Sequence, residues 1–315
     1  MSDEMTLRKI KTAVSSLKAL PHVYEELRSL ANAVTRLESR IESMQEALGR
    51  MELRQLSGDQ NNSLAAREFR VFSQWGEDGI IQFLISSINI EEKTFVEFGV
   101  EDYAQANTRF LLLNNNWRGL VIDSDGPSID LLRRSAVAWR YGLTAVQSHV
   151  TAENINELLT SNGFTGEIGL LSIDIDGNDY WVWRAINVVN PVIVIVEYNH
   201  RFGSDAAVTI PYDKDFRRGN GYPIFYFGAS LKALCDLAAR KGYAFVGCNT
   251  NGVNAFFVRR DKLPASVKEV SAAEGYVAGK FNETRDEEQR FKIIPPEEER
   301  RLLMSQPLVK VEGEN

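Results

Sequence analysis

The stretch Thr94-Phe-Val-Glu97-Phe-Gly99-Val-Glu101-Asp102-Tyr103 decides the fold. Its first residues are β-branched or aromatic around one acid, the composition of a short strand, and Gly99 permits a sharp turn just past it. Later segments repeat the plan: GLVID ends in Asp123, IGLLSIDID ends in Asp174 and Asp176, and VIVIVE ends in Glu197. Strands that stay apolar along their whole length are covered on both faces, which predicts a parallel α/β sheet. The expected strands are Thr94–Gly99, Gly119–Asp123, Ala145–His149, Ile168–Asp174 and Val192–Glu197. Helices are expected around Ile80–Ser87, Ile129–Trp139, Ala152–Asn162 and Leu231–Lys241. Tyr243–Cys248 and Asn254–Arg259, joined across an NTNG turn, predict a closing antiparallel hairpin. The expected fold class is therefore α/β, a Rossmann-like, mostly parallel seven-stranded sheet with an antiparallel terminal hairpin, preceded by an N-terminal coiled-coil helix.

In an open parallel sheet the strand ends converge on one crevice, and ligands bind there. A crevice lined with carboxylates suits a cation, a ribose or a metal and repels a bare pyrophosphate. A dinucleotide site would place GxGxxG after the first strand so that backbone amides approach phosphate. Of that pattern only Gly99 is present.

Composition narrows the classes. The 315 residues suit one large domain with appendages. A net charge of -7 and a pI near 5.3 supply no bulk attraction to nucleic acid or anionic lipid, so no nucleic-acid partner is expected. Cys235 and Cys248 are too few for a disulfide framework, and neither a secretory signal nor an apolar run of about 18 residues is seen. These features lead to the expectation of a reduced, cytoplasmic protein with no transmembrane segment.

Apolar residues at Val23, Leu27, Leu30, Val34, Leu37, Ile41, Met44, Leu48 and Met51 alternate spacings of four and three. Leu27, Val34, Ile41 and Leu48 take a positions, and the others take d. β-Branched residues at a opposite leucine at d favour a parallel dimer, so a homo-oligomer through residues 21–55 is expected. The alternative is a long amphipathic helix lying on its own domain. Pro21 suits a first helical turn, and Gly49 predicts fraying. Upstream, in residues 1–20, Leu7, Ile10, Val14 and Leu17 lie beside Arg8, Lys9, Lys11 and Lys18, suited either to peripheral membrane contact or to a frayed lead-in to the coil. Residues 56–66, with SGDQNNS, form the expected linker. Residues 67–262 hold the α/β domain, and 263–315 form a charged extension with a helix at EEERR and a frayed tail after Pro307.

The runs SQWGEDGII (73–81), VEFGVEDYAQANTRFLL (96–112), LLSIDIDGNDYWVW (170–183), PVIVIVEYN (191–199) and YFGASLKAL (226–234) together resemble the FkbM-type group of class I S-adenosylmethionine-dependent methyltransferases. The resemblance covers about residues 70 to 260 and makes 67–262 the expected methyltransferase domain. It implies S-adenosylmethionine as cofactor, with Glu97 and Gly99 as contacts and Asp123 receiving the ribose hydroxyls, since a carboxylate accepts two hydrogen bonds in a geometry matching a vicinal diol. Asn107 or Thr108 would contact the methionine end, and Ser148 and His149 the adenine; His149 is equally a surface residue entering the next helix. Gln74 would either reach the cofactor or cap the helix containing Gly79.

The densest chemistry is Asp174-Ile-Asp176-Gly-Asn-Asp179. Alternation along a strand would point Asp174 and Asp176 to one side, and acids so close repel unless they share a cation or a proton. They serve either as a base for an acceptor hydroxyl or as ligands for a hard cation such as Mg²⁺. The cluster also resembles the metal site of metal-dependent sugar O-methyltransferases. That resemblance implies Asp174 as a metal ligand, Asp176 as base or second ligand and Glu197 as a further ligand. It departs at Asn199, which stands near where a second acid is expected but, at the same strand end, would add an oxygen ligand; Asp174 would also lie beside the cofactor. An EF-hand reading fails because the later glutamate is missing. The structural alternative is a helix start with Asn178 or Asp179 as N-cap. His200 is the other candidate base, its ordinary pKa lying near neutrality. The loop from Asn199 to Tyr222 carries Arg201, Lys214, Arg217 and Arg218 among Tyr212, Phe216 and Tyr222, a composition suited to a saccharide acceptor or to an ordinary surface loop. The expected activity is O-methylation of a saccharide or glycan-type hydroxyl. The alternatives are a non-catalytic oligomerising assembly module for glycan biosynthesis and an N- or C-methyltransferase.

Overall fold

The computed structural model describes residues 2–58, 61–281, 284 and 290–311, with side chains from His22 onward. The chain divides into two compact units, Met1–Arg50 and Met51–Asn315. The first is helical: α1 (Ser2–Leu56) runs through it and ends in the second. The heptad residues Val23, Leu27, Leu30, Val34, Leu37, Ile41, Met44 and Leu48 are all exposed, so the apolar seam has no partner within the chain among the described residues. The helix begins upstream of Pro21, which therefore lies inside it and not in a first turn; a proline there removes one backbone hydrogen bond. Gly49 does not end it either. The stripe Leu7, Ile10, Val14 and Leu17 lies outside the described side chains.

The second unit opens with α2 (Leu64–Arg67) and α3 (Glu77–Ser87), then alternates β1 (Thr94–Phe98), α4 (Arg109–Asn115), β2 (Arg118–Asp123), α5 (Gly126–Arg134), α6 (Ala136–Arg140), β3 (Leu143–Gln147), α7 (Ile155–Ser161), β4 (Gly166–Ile173), α8 (Asp179–Ala185) and β5 (Val189–Glu197). After β6 (Val208–Thr209) come α9 (Leu231–Arg240), β7 (Tyr243–Cys248), β8 (Asn254–Arg259), α10 (Ala272–Gly275), α11 (Pro296–Met304) and β9 (Val309–Lys310). The main sheet has seven strands in the order β3-β2-β1-β4-β5-β8-β7. The pairs from β3 through β5 are parallel, and β8 runs antiparallel to both β5 and β7. This is the expected α/β sheet with its terminal hairpin.

Alternation along each strand sends side chains into two cores. Val96, Phe98, Leu120, Ile122, Leu171, Ile173, Val194 and Val196 pack on one face, and Phe95, Val121, Leu170, Ile193 and Ile195 pack on the other. Each fully buried side chain of this size contributes about 1.5–3 kcal/mol, and the doubly covered sheet is why these strands read as continuous apolar runs. The register aligns the strand ends: Phe98 pairs with both Ile122 and Ile173. The strand order reverses between β1 and β4, so the crevice opens over that point.

Some expectations are corrected. The helix expected over Ile129–Trp139 breaks at Ser135, which has extended backbone and serves as C-cap of α5 and N-cap of α6. The tail after Pro307 is not frayed through Lys310: β9 pairs antiparallel with β6, and the Tyr226 hydroxyl donates to the Pro307 carbonyl (2.7 Å). Leu303 of α11 is fully buried against Phe202, Ile210 and Phe225, and Arg201 pairs with Glu299 at 3.1 Å. The extension thus packs into the second unit.

Candidate active site

The strand ends enclose a crevice of about 900 Å³ bordered by the loops after β1 through β5 and by the start of β8. Its construction begins at Gly99. The backbone there is left-handed (φ 74°), and a β-carbon would fall 1.6 Å from the Asp174 carbonyl oxygen; only glycine lets the β1 turn close against the end of β4. The turn continues with Glu101 (φ 48°) and Tyr103 (φ 65°), both in left-handed conformations that are uncommon for residues other than glycine.

Glu97 borders the crevice at the end of β1, with its carboxylate largely buried. Its carboxylate accepts from the backbone amides of Asn107 (2.9 Å) and Thr108 (3.1 Å) and from the Thr108 hydroxyl. Burial raises its pKa to about 7, against the lowering effect of those bonds. Thr108, fully buried, also lies 3.0 Å from the Tyr103 hydroxyl, so it braces the loop and does not line the crevice as expected of a cofactor contact. Asn107 does line it, with Nδ2 donating to Ser172 Oγ (3.1 Å).

Asp123, at the end of β2, is half-buried at the crevice wall. Its Oδ2 accepts from Glu101 N and its Oδ1 from Asp125 N, both at 2.8 Å. These bonds fix the carboxylate while each oxygen retains acceptor capacity. Ser148, His149 and Gln74 also border the space. Nε2 of His149 lies 2.7 Å from the Lys214 carbonyl oxygen and 3.1 Å from Arg217 Nη1. Gln74 does not cap α3, whose N-cap is Gly76 with no side-chain bond.

Opposite stand the acids of β4 and β5. β4 ends at Ile173, so strand alternation does not bring Asp174 and Asp176 together; a turn does. Asp176 has a left-handed backbone (φ 55°), and Asp179 holds the turn by accepting from Ile175 N (2.8 Å) and Gly177 N (3.0 Å). Asn178 is the N-cap of α8 by backbone position but makes no side-chain cap bond. Carboxylate oxygens of Asp174, Asp176 and Glu197 lie within 4.8 Å of one another. Burial first, and then the neighbouring acids, pushes the carboxyl groups of Asp174 and Glu197 well above their ordinary range. Oε2 of Glu197 is buried and has no hydrogen-bond partner among the described residues. Asp176 is the exposed member, and Arg218 Nη1 reaches its Oδ1 at 2.6 Å. The Arg218 guanidinium also lies 3.8 Å from the Phe227 ring centroid.

Two residues expected here lie elsewhere. Asn199 is fully buried and committed to structure: Nδ2 donates to the carbonyls of Phe225 (2.8 Å) and Phe227 (3.0 Å), and Oδ1 accepts from Arg201 N. It does not join the acidic group. His200 does not line the crevice; its ring packs edge-on against Phe281, and burial, then the Arg201 charge, lowers its pKa to about 4. The near-neutral base expected from the sequence is not what this environment produces. The pairing of Arg218 with Asp176 escaped the sequence because the residues are 42 positions apart and no local pattern links them. Asn254, which lines the crevice from β8, was read only as a strand residue.

No protein-family model and no curated protein matches the chain. Among solved structures it is similar to an O-methyltransferase from Bacillus cereus in complex with SAH, at 13% identity and a TM-score of 0.37, over 57% of this chain and 78% of that one. It is also similar to an S-adenosylmethionine-dependent methyltransferase from Clostridium acetobutylicum (9% identity, TM-score 0.36, 58% and 90% of the two chains). A third similarity is to the DszA carbon methyltransferase (12% identity, TM-score 0.38, 60% and 54%). Among the described residues no helix is long and apolar enough to cross a membrane.

Proposed function

We propose that the chain is an S-adenosylmethionine-dependent O-methyltransferase of FkbM type acting on a hydroxyl of a saccharide or glycan-type acceptor. The observation that carries this reading is one crevice with two kinds of acid. Asp123 is held by backbone amides with its acceptors free for a vicinal diol, whereas Asp174, Asp176 and Glu197 crowd together across the floor. In this assignment Asp123 takes the ribose, Gly99 and Asn107 border the methionine end, Ser148 and His149 border the adenine, and Gln74 reaches the cofactor. Glu97, at the crevice end of β1, contacts the cofactor, and Thr108 acts through the loop it braces. The cofactor supplies a methyl group on a cationic sulfonium, and an acidic floor favours that charge over the neutral product.

Asp176, exposed to the crevice, is the residue assigned to receive the proton of the acceptor hydroxyl. Asp174 and Glu197 either share one proton or, with Asp176, hold a divalent cation such as Mg²⁺, for which an all-oxygen donor set is suitable. Chelator sensitivity separates these, and also weighs against an N-methyltransferase, because amine nucleophiles do not need metal activation. The direct test is calorimetric titration with S-adenosylhomocysteine and S-adenosylmethionine. Saturable binding is expected, and absence of binding overturns the proposal.

The exposed a/d seam of α1 supports homodimerisation through a parallel coiled coil in residues 21–55. It also favours a second reading, a non-catalytic assembly module for glycan biosynthesis. Light scattering of a Leu30→Asp, Leu37→Asp variant is expected to give the monomer mass where the parent gives the dimer. A scaffold would lose its assembly function in that variant and lose nothing in Asp176→Asn.

A further inference from the structure

The β8 side of the crevice carries Trp75, Phe281 and Asn254, which the methyl-transfer assignment leaves unused, beside Glu197. Trp75 and Phe281 stack with ring centroids 5.1 Å apart and planes 19° apart, and both line the crevice beside Asn254 and Glu197. Asn254 opens β8 in antiparallel register with Glu197, the last residue of β5. Directly opposed residues project to the same sheet face with β-carbons about 4.5–5.5 Å apart.

Asn254 is only 4% exposed. Its Nδ2 donates to Glu77 Oε1 (2.8 Å), an oxygen that also receives Asn249 Nδ2 (2.7 Å). This bond sets the orientation of the amide and leaves Oδ1 on the side away from Glu77. Among the described residues that Oδ1 has no hydrogen-bond partner, and neither has Glu197 Oε2. Buried acceptors are nearly always paired, and an unpaired one costs free energy that a ligand bringing donors can recover. Two such oxygens on neighbouring side chains, next to a flat apolar platform, describe a ligand with a flat apolar face and adjacent donors on its edge.

We propose that Trp75, Phe281, Asn254 and Glu197 form the acceptor subsite, and that it takes a polyhydroxylated ring. One ring face lies against the outer face of the stacked Trp75–Phe281 pair, and adjacent hydroxyls donate to Asn254 Oδ1 and Glu197 Oε2. Stacking of an apolar sugar face on aromatic rings leaves the hydroxyl edge free for such bonds. A monophenol offers one donor and leaves the second oxygen unpaired. The subsite rests on the methyl-transfer reading for its role, since it places a ring hydroxyl beside Asp174 and Asp176.

The test is saturation-transfer NMR titration with methyl α-mannopyranoside and methyl α-galactopyranoside, with phenol as the planar control and Mg²⁺ alone in a separate calorimetric titration. Each is run with and without S-adenosylhomocysteine. At least one glycoside is expected to bind the parent protein more tightly than phenol. Asn254→Leu is expected to weaken that binding roughly tenfold and Phe281→Ala roughly threefold, with S-adenosylhomocysteine affinity unchanged in both, which also reports that each variant is folded. The subsite is overturned if neither glycoside binds, if phenol binds more tightly, or if both variants bind glycoside like the parent. It is equally overturned if Asn254→Leu abolishes Mg²⁺ binding, which would make Asn254 a cation ligand. Glycoside binding without S-adenosylhomocysteine binding contradicts the methyl-transfer reading and leaves the sugar subsite standing.

Discussion

The acids after β1 and β2 differ from those after β4 and β5 in what neutralises them. Glu97 and Asp123 are met by backbone amides of neighbouring turns, dipoles that orient a carboxylate without cancelling its charge. Asp174 and Glu197 are met chiefly by other acids, and Arg218, which pairs directly with Asp176, offsets their charge only in part. Amide-held acids are rigid acceptors fit for recognition. Crowded acids form a reactive group, because any proton or cation placed among them is shared and its movement alters the rest. The same residue type at equivalent strand ends thus carries two chemistries, decided by the surrounding loops.

The sharpest way to break this contrast is Asp176→Asn. If the crowded side performs proton transfer, methyl transfer in a coupled assay falls by about 10²–10⁴-fold while S-adenosylhomocysteine affinity stays unchanged. A parallel loss of affinity would merge the two sides into one. A smaller effect is expected from Arg218→Gln, which leaves Asp176 without the guanidinium that fixes it at 2.6 Å. Turnover is expected to fall roughly tenfold through misplacement of the carboxylate, again without loss of cofactor affinity.

The smallest effect concerns pH. Burial raises Asp78 to about 6 and Glu97 to about 7, above their unfolded values, so the folded state holds protons that the unfolded chain releases. The associated stability is fully present below the unfolded pKa values and is lost as pH rises through about 6 to 7. The melting temperature is expected to be higher at pH 5 than at pH 8 by on the order of a few degrees, and Glu97→Gln is expected to flatten that slope in differential scanning calorimetry.

Much of the sheet was legible because its strands are apolar through their length, a pattern imposed by helices on both faces. The hairpin of β7 and β8 fell where its turn residues placed it. The tail was misread because pairing of Val309 and Lys310 with Val208 and Thr209 is set a hundred residues away in sequence, beyond any local periodicity. At the site, strand-end acids were visible, but what each touches was not. Alternation suggested how Asp174 and Asp176 meet, whereas a left-handed residue and the Asp179 carboxylate perform that task. Asn199 and His200 looked available because they follow a strand directly; the backbone carbonyls of Phe225 and Phe227 take the first, and packing against Phe281 takes the second.

Calorimetric titration of S-adenosylhomocysteine into the parent protein, Asp123→Asn and Asp176→Asn tests the division most directly. Binding weakened roughly tenfold in Asp123→Asn, from loss of the ribose acceptor, and unchanged in Asp176→Asn is the result this account predicts. Equal binding by Asp123→Asn and the parent, or loss confined to Asp176→Asn, would contradict it.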